Sequence, residues 1–499
     1  MNYISTRGRE AVSSGDAILK GIAPDGGLYV PSSFPIIGKD DILALAQMDY
    51  HERAAEVLSK FLTDFTKEEL QEYTKKAYSS FDGDPAGVLK VDDETYILEL
   101  TNGRTLAFKD MALSVLPYLV RGAEEKAGEG KKTLILVATS GDTGKAAIES
   151  FAGVKDTEVI VFYPSEGVSA LQKLQMLTSP NQNVSVVGID GNFDDAQSAV
   201  KAFFKDANAV TEVGELGYKI SSANSINWGR LAPQIAYYIS AYADLVSSDE
   251  ITYGEKINFV VPTGNFGNIL AAYYAKKMGL PINKLIVGSN SNNVLFDFFT
   301  TGRYDINRAF YKTASPSMDI LISSNLERLI FELSDRDADF TKNLMEELNI
   351  YGVYQLDVDV IKEKLPEFAA YWADGDEVMQ TIDNFYDMFD YLPDPHTAVA
   401  ISAYYKYIGD TGDEDTKTVV VATASPFKFP SDVLEAVADK RENDAFKAVK
   451  KLASYIGEDA PAQIIELDSL PILHSLVISK NAVRDTIIDI LRNKDRMNG

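Results

Sequence analysis

A repeated order of apolar run, turn and helix-like segment constrains this chain more than any other feature. Residues 133–138 (Thr-Leu-Ile-Leu-Val-Ala) form such a run, and Ser140-Gly-Asp-Thr-Gly144 leads from it into a helical pattern through Ala146, Ala147, Ile148 and Phe151. Residues 159–163, 184–189, 257–261, 284–287 and 418–422 repeat the run. Successive side chains of a strand point to opposite faces, so a run without polar alternation belongs to a strand covered on both. Strands of that kind alternating with helices predict parallel sheets and the α/β class.

With 499 residues the chain can bury a large core and is long enough for two or three domains. Its net charge of −26 leaves no basic face for the counterion release on which nucleic-acid binding depends, and argues equally against an anionic membrane surface. An anionic ligand must then be held by a local cluster. The absence of cysteine excludes disulfides and Cys-built metal sites, and His51, His396 and His474 are too scattered to predict a metal centre. No run approaches the ~20 apolar residues of a membrane span, and residues 1–8 lack the pattern of a secretory signal. The expectation is a cytoplasmic protein acting on a small molecule.

Lys109 follows a short apolar run and precedes Asp110, at the start of the pattern Met111, Leu113, Leu116 and Val120. It reads either as a solvated side chain at a helix start or as a Schiff-base lysine in a dry pocket. Its company favours the second reading. In residues 262–268 (Pro-Thr-Gly-Asn-Phe-Gly-Asn), Gly264 and Gly267 let backbone N–H groups turn inward at a helix start, so the turn can hold a phosphate without a basic side chain. Ser140–Gly144 repeats that design, unless Asp142 or Thr143 merely caps its helix. Ser222-Ala-Asn-Ser-Ile-Asn-Trp-Gly-Arg230 reads as a helix cap by Ser225 or Asn227, or as an anion grip. Thr423 ends a strand, either as an ordinary β-branched residue or as a hydroxyl facing a ligand.

Residues 105–110 (Thr-Leu-Ala-Phe-Lys-Asp) resemble the cofactor-lysine motif of threonine synthases, pyridoxal-phosphate enzymes that convert O-phosphohomoserine to threonine. Residues 3–8 and 21–31 are similar to that family's N-terminal signature, and residues 394–400 form another family-like run, in which His396 reads as structural. The resemblance implies a two-domain fold type II architecture, similar to tryptophan synthase β, with a helical N-terminal lead-in. Its expected divisions are 1–94 as N-terminal domain, 95–118 with 240–430 as the large cofactor-binding α/β domain, 119–239 as a smaller inserted α/β domain, and 431–499 as a C-terminal helical extension.

By the same resemblance Lys109 carries pyridoxal 5'-phosphate, Gly264, Asn265, Phe266, Gly267 and Asn268 surround the cofactor phosphate, and Thr423 meets the pyridine nitrogen. Ser140, Gly141, Asp142 and Thr143 receive the substrate's α-carboxylate, while Asn224, Ser225, Asn227 and Arg230 hold its phosphate. The implied reaction is γ-elimination of phosphate from O-phospho-L-homoserine followed by β-addition of water, by a monomer or homodimer. A serine or threonine dehydratase of the same fold and a non-catalytic phosphate-ligand binding protein remain alternatives. The chain departs from the family at residues 101–104, where Thr-Asn-Gly-Arg stands in place of the usual Phe-His-Gly-Pro. Residues 320–390 carry no assigned role.

Overall fold

The computed structural model describes the chain apart from residues 140, 166, 167, 192 and 499. Among the described residues, two sheets bear the expected apolar runs. The larger has six strands in the order Phe368–Trp372, Ile282–Ser289, Ile257–Pro262, Thr418–Ala422, Thr95–Glu99 and Val88–Lys90, parallel except for the last. The smaller has five parallel strands in the order Val477–Ser479, Val184–Asp190, Thr157–Pro164, Lys132–Ala138 and Tyr218–Ser222.

Burial on both faces follows the two-residue period of a strand. In the large sheet Tyr96, Leu98, Phe259, Val261, Val419 and Val421 enter one core. Their neighbours Ile97, Val260, Val420 and Ala422 enter another, against Ile401 and Tyr404 of helix Pro395–Thr411. The small sheet divides likewise, with Leu134, Leu136, Ile160 and Phe162 packed on Ile487 and Leu491. Each such side chain contributes roughly 1.5–3 kcal/mol by leaving water, which is why these runs dominate the fold.

The N-terminal part joins a three-stranded antiparallel sheet (Ala11–Val12, Tyr3–Ser5, Tyr29–Pro31) to the helices Ser14–Lys20, Lys39–Leu45, Tyr50–Phe61 and Lys67–Tyr78. These helices clamp the 20-residue helix Trp228–Ser247. Arg53 reaches that helix through Asp244 Oδ1 at 2.5 Å and Ser240 Oγ at 2.8 Å, and Asn227 caps its start by accepting from Gly229 N at 2.8 Å.

Three segments differ from the reading of the sequence. The pattern from 109 to 120 divides into Lys109–Leu113 and Leu116–Ala127, because Pro117 starts a helix far more readily than it continues one. Residues 320–390 contribute helix Leu326–Leu333 and the edge strand Phe368–Trp372. The C-terminal stretch is helical except for Val477–Ser479, which extends the small sheet. No helix of the described residues is long and apolar enough to cross a membrane.

Candidate active site

The carboxyl ends of Ile257–Pro262, Thr418–Ala422 and Lys132–Ala138 open on one cavity of about 180 Å³, where parallel sheets generally bind ligands. Lys109, Asp142, Thr143, Asn224, Ser225, Arg230, residues 264–268 and Thr423 all line it. Gly141 and Asn227 do not, and Ser140 lies outside the described residues. No group of three or more metal-ligating side chains occurs among the described residues.

Lys109 is presented by a tightly closed loop. Asp110 accepts from Thr105 N and from Thr105 Oγ1, each at 2.7 Å, and Leu106 takes a left-handed φ of 57° that a branched residue adopts only when its surroundings enforce it. The departure at 101–104 keeps the one residue the clamp requires, since a Cβ on Gly103 would lie 2.4 Å from Asp110 Oδ2. Gly103→Ala is therefore expected to cost about 1–3 kcal/mol of stability by overpacking. Denaturant unfolding checks this, and an unchanged midpoint would mean that the clamp yields.

The Lys109 Nζ atom stands 3.4 Å from both Asp142 Oδ2 and Ser317 Oγ. Burial pushes its proton affinity below that of an ordinary lysine; Asp142 opposes the shift, and Lys428 and Arg230 add to it. Burial likewise raises the Asp110 carboxyl to about 6 against the pull of the Thr105 hydrogen bonds.

The turn at 262–268 is anchored by Phe266, whose ring packs against both Phe299 and Phe368, at 6.0 and 5.9 Å, in a cluster in which those two rings stack on each other at 5.1 Å. A Cβ on Gly264 would fall 2.7 Å from Met318 O, so glycine permits the close approach of that backbone. Asn325 N and Nδ2 both donate to Asn265 O at 3.1 Å. The N–H groups of Gly264, Asn265, Phe266 and Gly267 meet no acceptor among the described residues. Asn268 Oδ1 accepts from the hydroxyls of Tyr237 and of Tyr238, the latter at 2.6 Å, and this leaves its buried Nδ2 without a partner. Unpaired buried donors at a helix start are the signature of an anion site.

Arg230 is the second focus of positive charge. It is buried, donates from Nη1 to Ala223 O at 2.7 Å, and pairs with no carboxylate among the described residues. Burial pushes it down to about 10. Ser225 Oγ accepts from Asn325 Nδ2 at 3.1 Å. Asn227 is spent elsewhere: its amide donates to Ile18 O and Ser222 O, both at 3.0 Å, so at this position the cap reading holds. Arg328 ties the segment down through Ile226 O at 2.7 Å and Asn325 Oδ1 at 2.6 Å.

At the start of helix Asp142–Phe151, Gly141 donates inward to Thr139 Oγ1 at 2.9 Å. The Asp142 side chain cannot receive another carboxylate. Burial alone would raise its carboxyl, but Lys428 and then Lys109 hold it well below the usual range. The backbone N–H groups of Asp142 and Thr143, which have no acceptor among the described residues, remain for an anion, as does the Thr143 hydroxyl. The hydroxyl of Thr423 is likewise unpaired among the described residues, while its carbonyl accepts from Phe108 N at 2.9 Å. His396 accepts from Ser317 N at 3.2 Å, faces Asp394 Oδ1 at 2.7 Å and also lines the cavity.

Sequence reasoning missed Lys428, Ser317, Asn325 and Arg328. A lysine inside Ser425-Pro-Phe-Lys-Phe-Pro430 stands out among apolar neighbours and could have been flagged; the other three carry no local signal.

Known proteins share this architecture. Residues 2–78 match the family model of the threonine synthase N terminus, residues 89–424 that of pyridoxal-phosphate dependent enzymes, and residues 397–469 that of the threonine synthase C-terminal region. Threonine synthase-like 1 of Macaca fascicularis is 36% identical over 479 residues, which cover 93% of this chain and 62% of that protein, so the chain spans about three fifths of that relative's length. The threonine synthase of Saccharomyces cerevisiae is 34% identical over 465 residues, covering 87% of this chain and 89% of the relative. The crystal structure of PLP-bound threonine synthase from Brucella melitensis aligns with a TM-score of 0.86 at 35% identity, over 99% of this chain and 100% of that one. The expected fold type II architecture with a helical N-terminal part is thus the observed one. The chain belongs to the threonine synthase family of pyridoxal-phosphate dependent enzymes.

Proposed function

We propose that the chain is a threonine synthase, converting O-phospho-L-homoserine and water to L-threonine and phosphate. The observation that carries this reading is a single cavity lined both by a partly buried lysine of lowered proton affinity and by a buried arginine with no carboxylate partner among the described residues. A dehydratase substrate bears no phosphate and gives such an arginine nothing to hold.

The donors present suit pyridoxal phosphate. The free N–H groups at 264–267 and the orphan Nδ2 of Asn268 match its phosphate, Lys109 supplies an amine, and the Thr423 hydroxyl suits the ring nitrogen. When bound, the cofactor supplies a carbonyl that condenses with an amine and a ring that disperses the charge left by proton removal. The remaining tasks fall to the chain itself. Lys109, more readily neutral than a solvated lysine, takes a proton from Cα and then one from Cβ; after phosphate leaves Cγ one proton returns to Cγ, which becomes a methyl group, water adds its hydroxyl at Cβ while its other proton balances the released phosphate, and the second proton returns to Cα. Arg230, with Asn224 and Ser225, grips the phosphate that leaves Cγ. The N–H groups of Asp142 and Thr143 orient the α-carboxylate, and Asn227 acts one step back by fixing the helix that carries Arg230.

In this reading residues 95–118 and 240–430 form the cofactor domain and 119–239 the inserted one, flanked by 1–94 and 431–499, in a cytoplasmic monomer or homodimer. The test is product analysis of the purified chain supplied with pyridoxal phosphate and O-phospho-L-homoserine. Matched release of threonine and inorganic phosphate is expected. Phosphate without threonine would replace the assignment by a simple elimination, and neither product would leave a binding protein.

A further inference from the structure

One buried carboxylate stands between a buried lysine, Lys428, and a partly buried one, Lys109. Lys428 Nζ lies 2.9 Å from Asp142 Oδ1 and donates to Thr105 O at 2.7 Å, whereas Lys109 Nζ keeps 3.4 Å from Oδ2. The Lys428 and Asp142 side chains are each 2% exposed. Two neutral donors complete the carboxylate, Gln172 Nε2 on Oδ1 at 2.9 Å and Ser317 Oγ on Oδ2 at 2.8 Å. Lys428 does not line the cavity. It joins the turn Pro426–Lys428 to the Lys109 loop and to the helix that begins at Asp142.

We propose that Lys428 is a positioning residue for Lys109 acting through Asp142: by engaging Oδ1 it keeps that carboxylate from closing a tight ion pair with the Lys109 amine. The charged groups facing Lys109 are Asp142, Lys428 and Arg230. Asp110, on its own helix, is turned to Thr105, and His396 meets Lys109 only through Ser317. Removing Lys428 acts twice in the same direction. A repelling cation disappears, and Asp142 is freed to pair with Lys109, so the amine holds its proton more strongly.

The consequence for catalysis rests on the reading of Lys109 as the cofactor lysine, but the test does not. Acetic anhydride labelling of the full-length chain across pH, read as Lys109 acetylation by mass spectrometry, reports the neutral amine with neither cofactor nor substrate present. Its failure overturns the inference and leaves the assigned activity to product analysis. Lys428→Gln is expected to raise the labelling midpoint by about one pH unit or more and to slow labelling at neutral pH about tenfold. Lys428→Arg should keep the wild-type midpoint, Asp142→Asn should lower it, and the double variant Asp142→Asn/Lys428→Gln, which removes the pair together, should fall between the two singles. An unmoved midpoint in Lys428→Gln overturns the proposal, as does movement of Lys428→Gln and Asp142→Asn in the same direction. If Lys428→Gln does not fold, an Asp142→Asn midpoint no lower than that of the wild type overturns it, because the carboxylate through which Lys428 acts would then have no hold on the Lys109 proton.

Discussion

Replacing Lys109 by alanine is expected to lower turnover by roughly 10⁴-fold or more, because in the proposed function one side chain supplies both the amine that carries the cofactor and every proton transfer at Cα and Cβ. The cofactor-loaded variant should also lose the visible absorption of a lysine-bound cofactor, so steady-state rates and a spectrum check the same assignment independently. Stability should not fall. The folded chain holds the Lys109 proton less strongly than the unfolded chain does, so the ammonium penalises folding at neutral pH, and that penalty disappears only as pH rises toward the ordinary lysine value. A fully active, fully coloured Lys109→Ala protein would remove the cofactor lysine from this position.

Arg230→Ala should raise KM for the phosphorylated substrate by about 10²–10⁴-fold, as two charge-assisted hydrogen bonds to phosphate are worth roughly 1.5–3 kcal/mol each. The guanidinium commits one donor to Ala223 O, so four of its five N–H groups remain for an anion. Arg230→Lys should recover only a small part of the loss, since an ammonium cannot reproduce a two-pronged grip. Initial-rate kinetics with O-phospho-L-homoserine decide the matter, and an unchanged KM would take Arg230 out of substrate recognition.

The large strands were legible because burial on both faces writes itself into every position, as in Thr157–Pro164, all eight residues of which are buried. The site was legible where a glycine turn or a family motif marks it, at 105–110 and 262–268. Asn227 shows where that legibility stops. An amide at a helix start has the same local sequence whether it faces a ligand or caps the backbone, and the carbonyl of Ile18, more than two hundred residues away, settles the choice. Asp142 is similar, because its partner Lys428 comes from the turn Pro426–Lys428, far along the chain. Arg328 and Asn325 act only through contacts with distant segments, and Val477–Ser479 is too short and too exposed to show a strand period.

The large sheet seats Thr95–Glu99 directly beside Thr418–Ala422, whereas four strands of the small sheet follow one another between Lys132 and Ser222. During synthesis the small sheet can therefore begin to assemble soon after it emerges, but the strand next to the Lys109 loop must wait for nearly the whole chain. Pairings of such long sequence separation close slowly and leave an open apolar edge in the meantime. The cavity is thus completed late, and a ribosome-bound or truncated chain lacking residues 418–422 should accumulate as a partly folded species that needs protection from self-association.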